Sequence, residues 1–171
     1  MLDELRDLYQ EVILDHGKNP RNLRHPPDAN REAQGSNPMC GDQLTVYLTL
    51  EGDGTVRDAA FEGQGCAISM ASASMMTEML KGRSEAEARA LFHSFHAMCT
   101  GEDEYEDHEG HEDHGHGHAP PGGLPGGLED EMERLQVLAG VRQFPVRVKC
   151  ATLSWHTMVA AMDGEAKVST E

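Results

Sequence analysis

The chain has 171 residues, 38% of them hydrophobic, four cysteines and a formal charge of −16, which suffices for one domain with a real core and requires no second. The acidity is local: twelve acidic residues lie from Glu102 to Glu133, and no Lys or Arg occurs between Arg89 and Arg134. With no basic stripe to offset phosphate repulsion, nucleic acid is not an expected partner.

The N-terminal Met1-Leu2-Asp3-Glu4-Leu5 lacks the basic region and apolar run of a signal peptide, and no stretch approaches the roughly 18 apolar residues of a membrane span. The expectation is a soluble, cytoplasmic chain without a membrane partner. In such a chain Cys40, Cys66, Cys99 and Cys150 point to reduced thiols in metal or sulfur chemistry rather than to a disulfide framework. Leu2, Leu5, Leu8, Tyr9, Val12 and Ile13 recur at helical spacing and predict an amphipathic helix over Leu2–Asp15, closed by Gly17. The following Asn19-Pro20-Arg21-Asn22 and Pro26-Pro27 cannot continue it. Lys18 and Arg21 read either as a solvated turn or as a basic patch facing a partner.

From Gln43 to Leu50 apolar residues occupy the even positions, the pattern of a half-buried strand. Glu51-Gly52-Asp53-Gly54 is a turn, and Thr55–Glu62 supplies the second strand of an antiparallel hairpin. The loop before the hairpin carries Asn37-Pro38-Met39-Cys40-Gly41-Asp42. Residues two apart in extended chain point the same way, so Cys40 and Asp42 can project together, and the hairpin returns Cys66 to the same end. Gly63-Gln64-Gly65 delivers Cys66 to the start of a helix over Ala67–Leu80. A helix N-terminus favours thiolate over thiol, so Cys66 is a candidate metal ligand or sulfur nucleophile, against the plainer reading of a small buried core residue. Met70, Met75, Met76 and Met79 read as core filling rather than a copper site.

Ser84-Glu85-Ala86-Glu87 is a capping box that opens a helix to about Met98. Cys99 at its end has no glycine approach or neighbouring ligand motif and reads as an incidental thiol. Residues from Gly101 to about Leu128 break the composition, with His108, His111, His114, His116 and His118 among acids and then a Pro/Gly run. Such a tract buries too little apolar surface to order itself, so it is expected to be a flexible insert, a plain solvated loop or a loose metal buffer. Glu129–Ala139 returns to a helical pattern. Phe144–Lys149 reads as an extended approach to Cys150, a second thiol placed at a helix N-terminus, with Trp155, Met158 and Val159 on the buried face and His156 exposed rather than a ligand.

Zinc takes four ligands in a tetrahedron, and three thiolates with one carboxylate satisfy it. Cys40, Asp42, Cys66 and Cys150 form the natural set, although their long intervals do not identify a site by spacing. Asn19-Pro20-Arg21-Asn22, Asn37-Pro38-x-Cys40-Gly41-Asp42, Gly63-x-Gly65-Cys66-Ala67-Ile68-Ser69 and Arg147-x-Lys149-Cys150-Ala151-Thr152-Leu153-x-Trp155 resemble, in order, the signature motifs of the IscU/SufU (NifU N-terminal-like) family of iron–sulfur cluster assembly proteins. Lys149, where IscU-type scaffolds carry histidine, and the long segment between Cys66 and Cys150 resemble the SufU branch.

The resemblance implies a single α+β domain over 1–171: a small, mainly antiparallel three-stranded sheet packed by helices on one face, with zinc at an exposed end. It further implies that Asp42, Cys66 and Cys150 hold zinc while Cys40 is both fourth ligand and acceptor of persulfide sulfur. The implied partners are a pyridoxal-phosphate cysteine desulfurase of the SufS type and a downstream iron–sulfur scaffold. The alternative implied role is that of a scaffold on which a transient iron–sulfur cluster is assembled by the same ligands and handed on.

Overall fold

A computed structural model describes residues 2–39, 41–100 and 128–169. The first helix, α1 (Leu2–Lys18), runs through Gly17 instead of ending there. A Cβ at Gly17 would make only ordinary contact with Ala67, at 3.4–3.5 Å, and the chain leaves the helix only at Asn19-Pro20.

Three strands follow, β1 (Arg31–Asn37), β2 (Asp42–Leu50) and β3 (Val56–Gln64). β2 pairs antiparallel with both β1 and β3. The expected hairpin is β2–β3, with Glu51 and Thr55 closing its turn through a 2.9 Å backbone bond. Leu44, Val46 and Leu48 alternate onto the buried face as their spacing requires. A fourth strand, β4 (Lys167–Ser169), lies parallel to β1 and gives the order β3-β2-β1-β4 among the described residues. The sheet is therefore mixed and four-stranded rather than three-stranded. The added strand comes from the segment after the last helix, and its three residues are too few to show a period.

Among the described residues five α-helices complete the fold: α1 with α2 (Ala67–Leu80), α3 (Glu85–Thr100), α4 (Leu128–Leu135) and α5 (Pro145–Asp163). A 3-10 helix, Gln136–Gln143, joins α4 to α5. α2 packs on β3, and α5 on β1 and β2, so both cover the same face. Between them and the sheet lie Phe61, Leu48, Met76, Leu80, Leu153 and Met158, all fully buried. Trp155 packs against Phe95 with the rings tilted and their centroids 4.9 Å apart, and donates its indole N–H to Ser72 Oγ at 3.0 Å. Met75, Met76 and Met79 belong to this core, in agreement with the packing reading. The capping box forms in both directions: Glu87 N–H donates to Ser84 Oγ at 3.1 Å and Ser84 N–H to the Glu87 carboxylate at 3.2 Å. On the opposite face of the sheet Tyr47 stacks on His25 and donates its hydroxyl to Glu62 at 2.8 Å.

Of the acidic, histidine-rich insert, residues 101–127 lie outside the described residues. Its expected last residue does not: Leu128 begins α4 and is fully buried in the core. α4 replaces the first half of the helix expected over Glu129–Ala139, and the second half winds as the 3-10 segment.

Candidate metal centre

The site is assembled at one end of the sheet. Asn37 ends β1, Asp42 begins β2, and the two are register partners. The connecting turn is closed by Gly41 N–H donating to Asn37 O at 2.9 Å, with Gly41 in the left-handed region at φ 73°. Met39 on this turn is 66% exposed. Cys40 lies outside the described residues, between Met39 and Gly41.

Asp42 is fully buried. Its Oδ1 accepts the backbone N–H of Cys66 at 2.9 Å, and its Oδ2 accepts from Asn37 Nδ2 at 3.4 Å. Among the described residues no lysine or arginine pairs with it. β3 reaches Cys66 through two glycines that the geometry demands. Gly63 has φ 138°, where side chains are strained, and a Cβ there would strike Gln43 O. At Gly65 a Cβ would fall 2.7 Å from Asp42 Oδ1. Cys66 is then the N-cap of α2, half-buried, and its Sγ accepts the Ser69 N–H at 3.4 Å. The expectation of a thiol at a helix start holds for Cys66.

It does not hold for Cys150. α5 begins at Pro145, so Phe144–Lys149 is mostly helix and Cys150 sits in its second turn, where it is fully buried. Proline at the first helical position is preset for helix and lacks only a donor that would be unpaired there, so Phe144-Pro145 opens a helix rather than extending a strand. What Cys150 lacks in helix-terminal amides is met by Asn37 Nδ2, which lies 3.5 Å from its Sγ.

The donor atoms of Asp42, Cys66 and Cys150 all lie within 4.8 Å of one another. Two thiols and a buried carboxylate without a cationic partner form a donor set that suits zinc, whose charge would neutralise the thiolates and the carboxylate together. Each of the three already receives an N–H, from Ser69, Cys66 or Asn37, as metal ligands commonly do from their surroundings. The sequence pointed to these three side chains but not to Asn37. The available signal was an amide heading the turn that carries Cys40 and Asp42.

The other candidates lie elsewhere. Cys99 is fully buried, and burial pushes its thiol up to about 12, which makes it inert at neutral pH. His156 is half-buried rather than exposed, 5.1 Å from the Phe92 ring and 5.4 Å from that of His96. Arg21 pairs with Asp15 of α1 at 2.6 Å and approaches Glu78 of α2 at 3.9 Å.

Residues 8–106 match the family described as the NifU-like N terminal domain. The chain is 40% identical over 154 residues to the zinc-dependent sulfurtransferase SufU of Bacillus subtilis (strain 168), covering 90% of this chain and 88% of that one. It is 33% identical over 165 residues to the iron–sulfur cluster assembly scaffold protein IscU of Streptococcus pyogenes serotype M1, covering 96% and 89%. The crystal structure of a candidate iron–sulfur cluster assembly scaffold protein for the SUF system from Fervidobacterium islandicum AW-1 superposes with a TM-score of 0.70. It is 28% identical and covers 89% of this chain and 94% of that one. The order of the four motifs, the fold and these likenesses agree: the chain belongs to the IscU/SufU family of NifU-like N-terminal domains.

Proposed function

We propose that the chain is a zinc-dependent sulfurtransferase of iron–sulfur cluster assembly that accepts persulfide sulfur from a pyridoxal-phosphate cysteine desulfurase of the SufS type. The observation that carries this reading is the convergence of Asp42, Cys66 and Cys150 within 4.8 Å, with Cys40 two residues before Asp42 in the chain. Asp42, Cys66 and Cys150 are the fixed ligands, held on β2, α2 and α5. Cys40 is the fourth ligand and the acceptor, and the exposure of its chain neighbours Met39 and Gly41 suits a thiol that must meet a second protein. When bound, zinc supplies redox-inert Lewis acidity that holds the thiolates deprotonated.

The transfer is a thiolate exchange. The Cys40 thiolate attacks the outer sulfur of the desulfurase persulfide, a new S–S bond forms on Cys40, and the desulfurase cysteine leaves as thiolate. No net oxidation occurs. A downstream iron–sulfur scaffold then receives the sulfur. No helix among the described residues is long and apolar enough to cross a membrane, and we place the reaction in the cytoplasm.

The test is zinc content together with desulfurase turnover. Wild type should hold one tightly bound zinc and accelerate the desulfurase, and Cys40→Ala should lose the acceleration. A Cys40→Ala protein that stimulates as well as wild type refutes the acceptor role. The scaffold reading is favoured by the Streptococcus relative, which is named a scaffold and is similar over 96% of this chain. Anaerobic reconstitution that yields a stable, transferable cluster on the zinc-free protein would select that reading instead.

A further inference from the structure

We infer that Asn37 is a positioning residue of this centre: its carboxamide NH2 group fixes Asp42 and Cys150 in the arrangement that receives the ion. The inference rests on the metal-site reading above. Asn37 is fully buried, and its Nδ2 lies 3.4 Å from Asp42 Oδ2 and 3.5 Å from Cys150 Sγ. Its Oδ1 is buried and has no hydrogen-bond partner among the described residues. A buried amide with an orphaned oxygen costs stability, so packing alone does not account for this residue. The side chain points its positive N–H edge at the two candidate ligand atoms and its negative oxygen away from them.

The placement also ties the site together along the chain. Asn37 is the last residue of β1, Asp42 the first of β2, and Cys150 lies on α5, 113 residues from Asn37. Cys66 N–H holds the other carboxylate oxygen, so Asn37 completes a clamp on both oxygens of Asp42 while reaching the buried thiol of Cys150. The 3.4 Å to Asp42 Oδ2 is longer than the roughly 2.9 Å of a relaxed N–H···O bond, while the 3.5 Å to Cys150 Sγ is an ordinary reach to the larger sulfur atom. The carboxamide NH2 thus spans both acceptors.

The test uses the full chain, stripped of metal and titrated with cobalt(II). Sulfur-to-cobalt charge-transfer bands report thiolate ligation and are blind to the histidines of the insert. Asn37→Asp keeps the shape and turns the donor edge into an acceptor. It should lower cobalt and zinc affinity by about 10–100-fold and shift the cobalt d–d bands, with far-UV circular dichroism unchanged. If Asn37→Asp does not fold, Asn37→Ser, which adds no charge and keeps one short donor, carries the same expectation with a smaller loss. A folded variant with wild-type affinity and a wild-type cobalt spectrum overturns the role of Asn37 alone. A wild-type chain that shows no sulfur-to-cobalt band overturns the metal-site reading, and this inference with it.

Discussion

The sharpest structural test of the centre is Gly65→Ala, because it perturbs the site without removing any ligand. A Cβ at Gly65 falls 2.7 Å from Asp42 Oδ1, 3.2 Å from its Cγ and 3.1 Å from Ser69 Oγ. The backbone there is not left-handed, so resistance to the methyl group is steric and not conformational. The carboxylate has nowhere easy to go. It is fully buried, and its two oxygens are tied to Cys66 N–H at 2.9 Å and Asn37 Nδ2 at 3.4 Å. Moving Oδ1 aside strains or breaks the bond from Cys66, and a hydrogen bond to a charged group is worth about 1.5–3 kcal/mol. Overpacking a well-filled interior costs a similar ~1–3 kcal/mol. Both figures describe one displacement, so they do not add, and the expected destabilisation of the metal-free protein is about 2 kcal/mol. Misplacing the carboxylate proposed as a ligand should also weaken zinc by about 10–100-fold. Urea unfolding of the metal-free chain measures the first effect, and competition with a chromophoric chelator the second. A variant whose unfolding midpoint and zinc affinity both match wild type would refute the account of Gly65 as a contact glycine.

Two further outcomes follow from the borders and the half-buried imidazoles of the fold. Replacing residues 101–127 with a short Gly/Ser linker should leave zinc content and sulfur transfer intact, whereas Leu128→Ala, which empties a fully buried position of α4, should cost about 2–5 kcal/mol in denaturant unfolding; loss of zinc on the first change would assign the insert a part in the site. Burial, aided by the charge of His96, holds His156 below its ordinary value of 6.5. The unfolded chain therefore takes up this proton first as pH falls, so stability is fully present above about pH 6.5 and is lost as pH drops toward the lower folded-state value. His16 is lowered in the same direction, chiefly by burial. Thermal midpoints measured against pH should decline less steeply below 6.5 in His156→Phe than in wild type, and an unchanged slope would mean that other groups govern the acid limb.

Much of the fold was legible because its signals are local. The alternation in Gln43–Leu50, the turn at Glu51–Gly54 and the capping box at Ser84–Glu87 each lie within a few residues, and each formed as read. α2 runs from Ala67 to Leu80, the same bounds its composition gave, with Cys66 as its N-cap. The failures share a cause as well. β1 contains Glu32, Gly35, Ser36 and Asn37, poor strand formers individually, and becomes a strand because β2 offers it a full ladder. β4 is shorter than one period of any pattern. Cys150 was placed at a helix start because Val146 and Val148 suggest a strand, but Pro145 and the packing of α5 against α2 and the sheet extend the helix backward past it.

The sequence by itself determined the chemistry available to this protein: the thiols and the carboxylate suited to zinc, the glycines before Cys66, the family motifs and the acidic insert. These are properties of residue type and short spacing, which need no third dimension. Tertiary structure decided which of them meet. Asp42, Cys66 and Cys150 are far apart in the chain and converge only because the β2–β3 hairpin returns to its starting end and α5 crosses β1 and β2 above it. The same packing gave Gly65 its contact with Asp42 and set the Asn37 amide between a carboxylate and a thiol 113 residues away, relations that arise from long-range closure and leave no trace in local sequence.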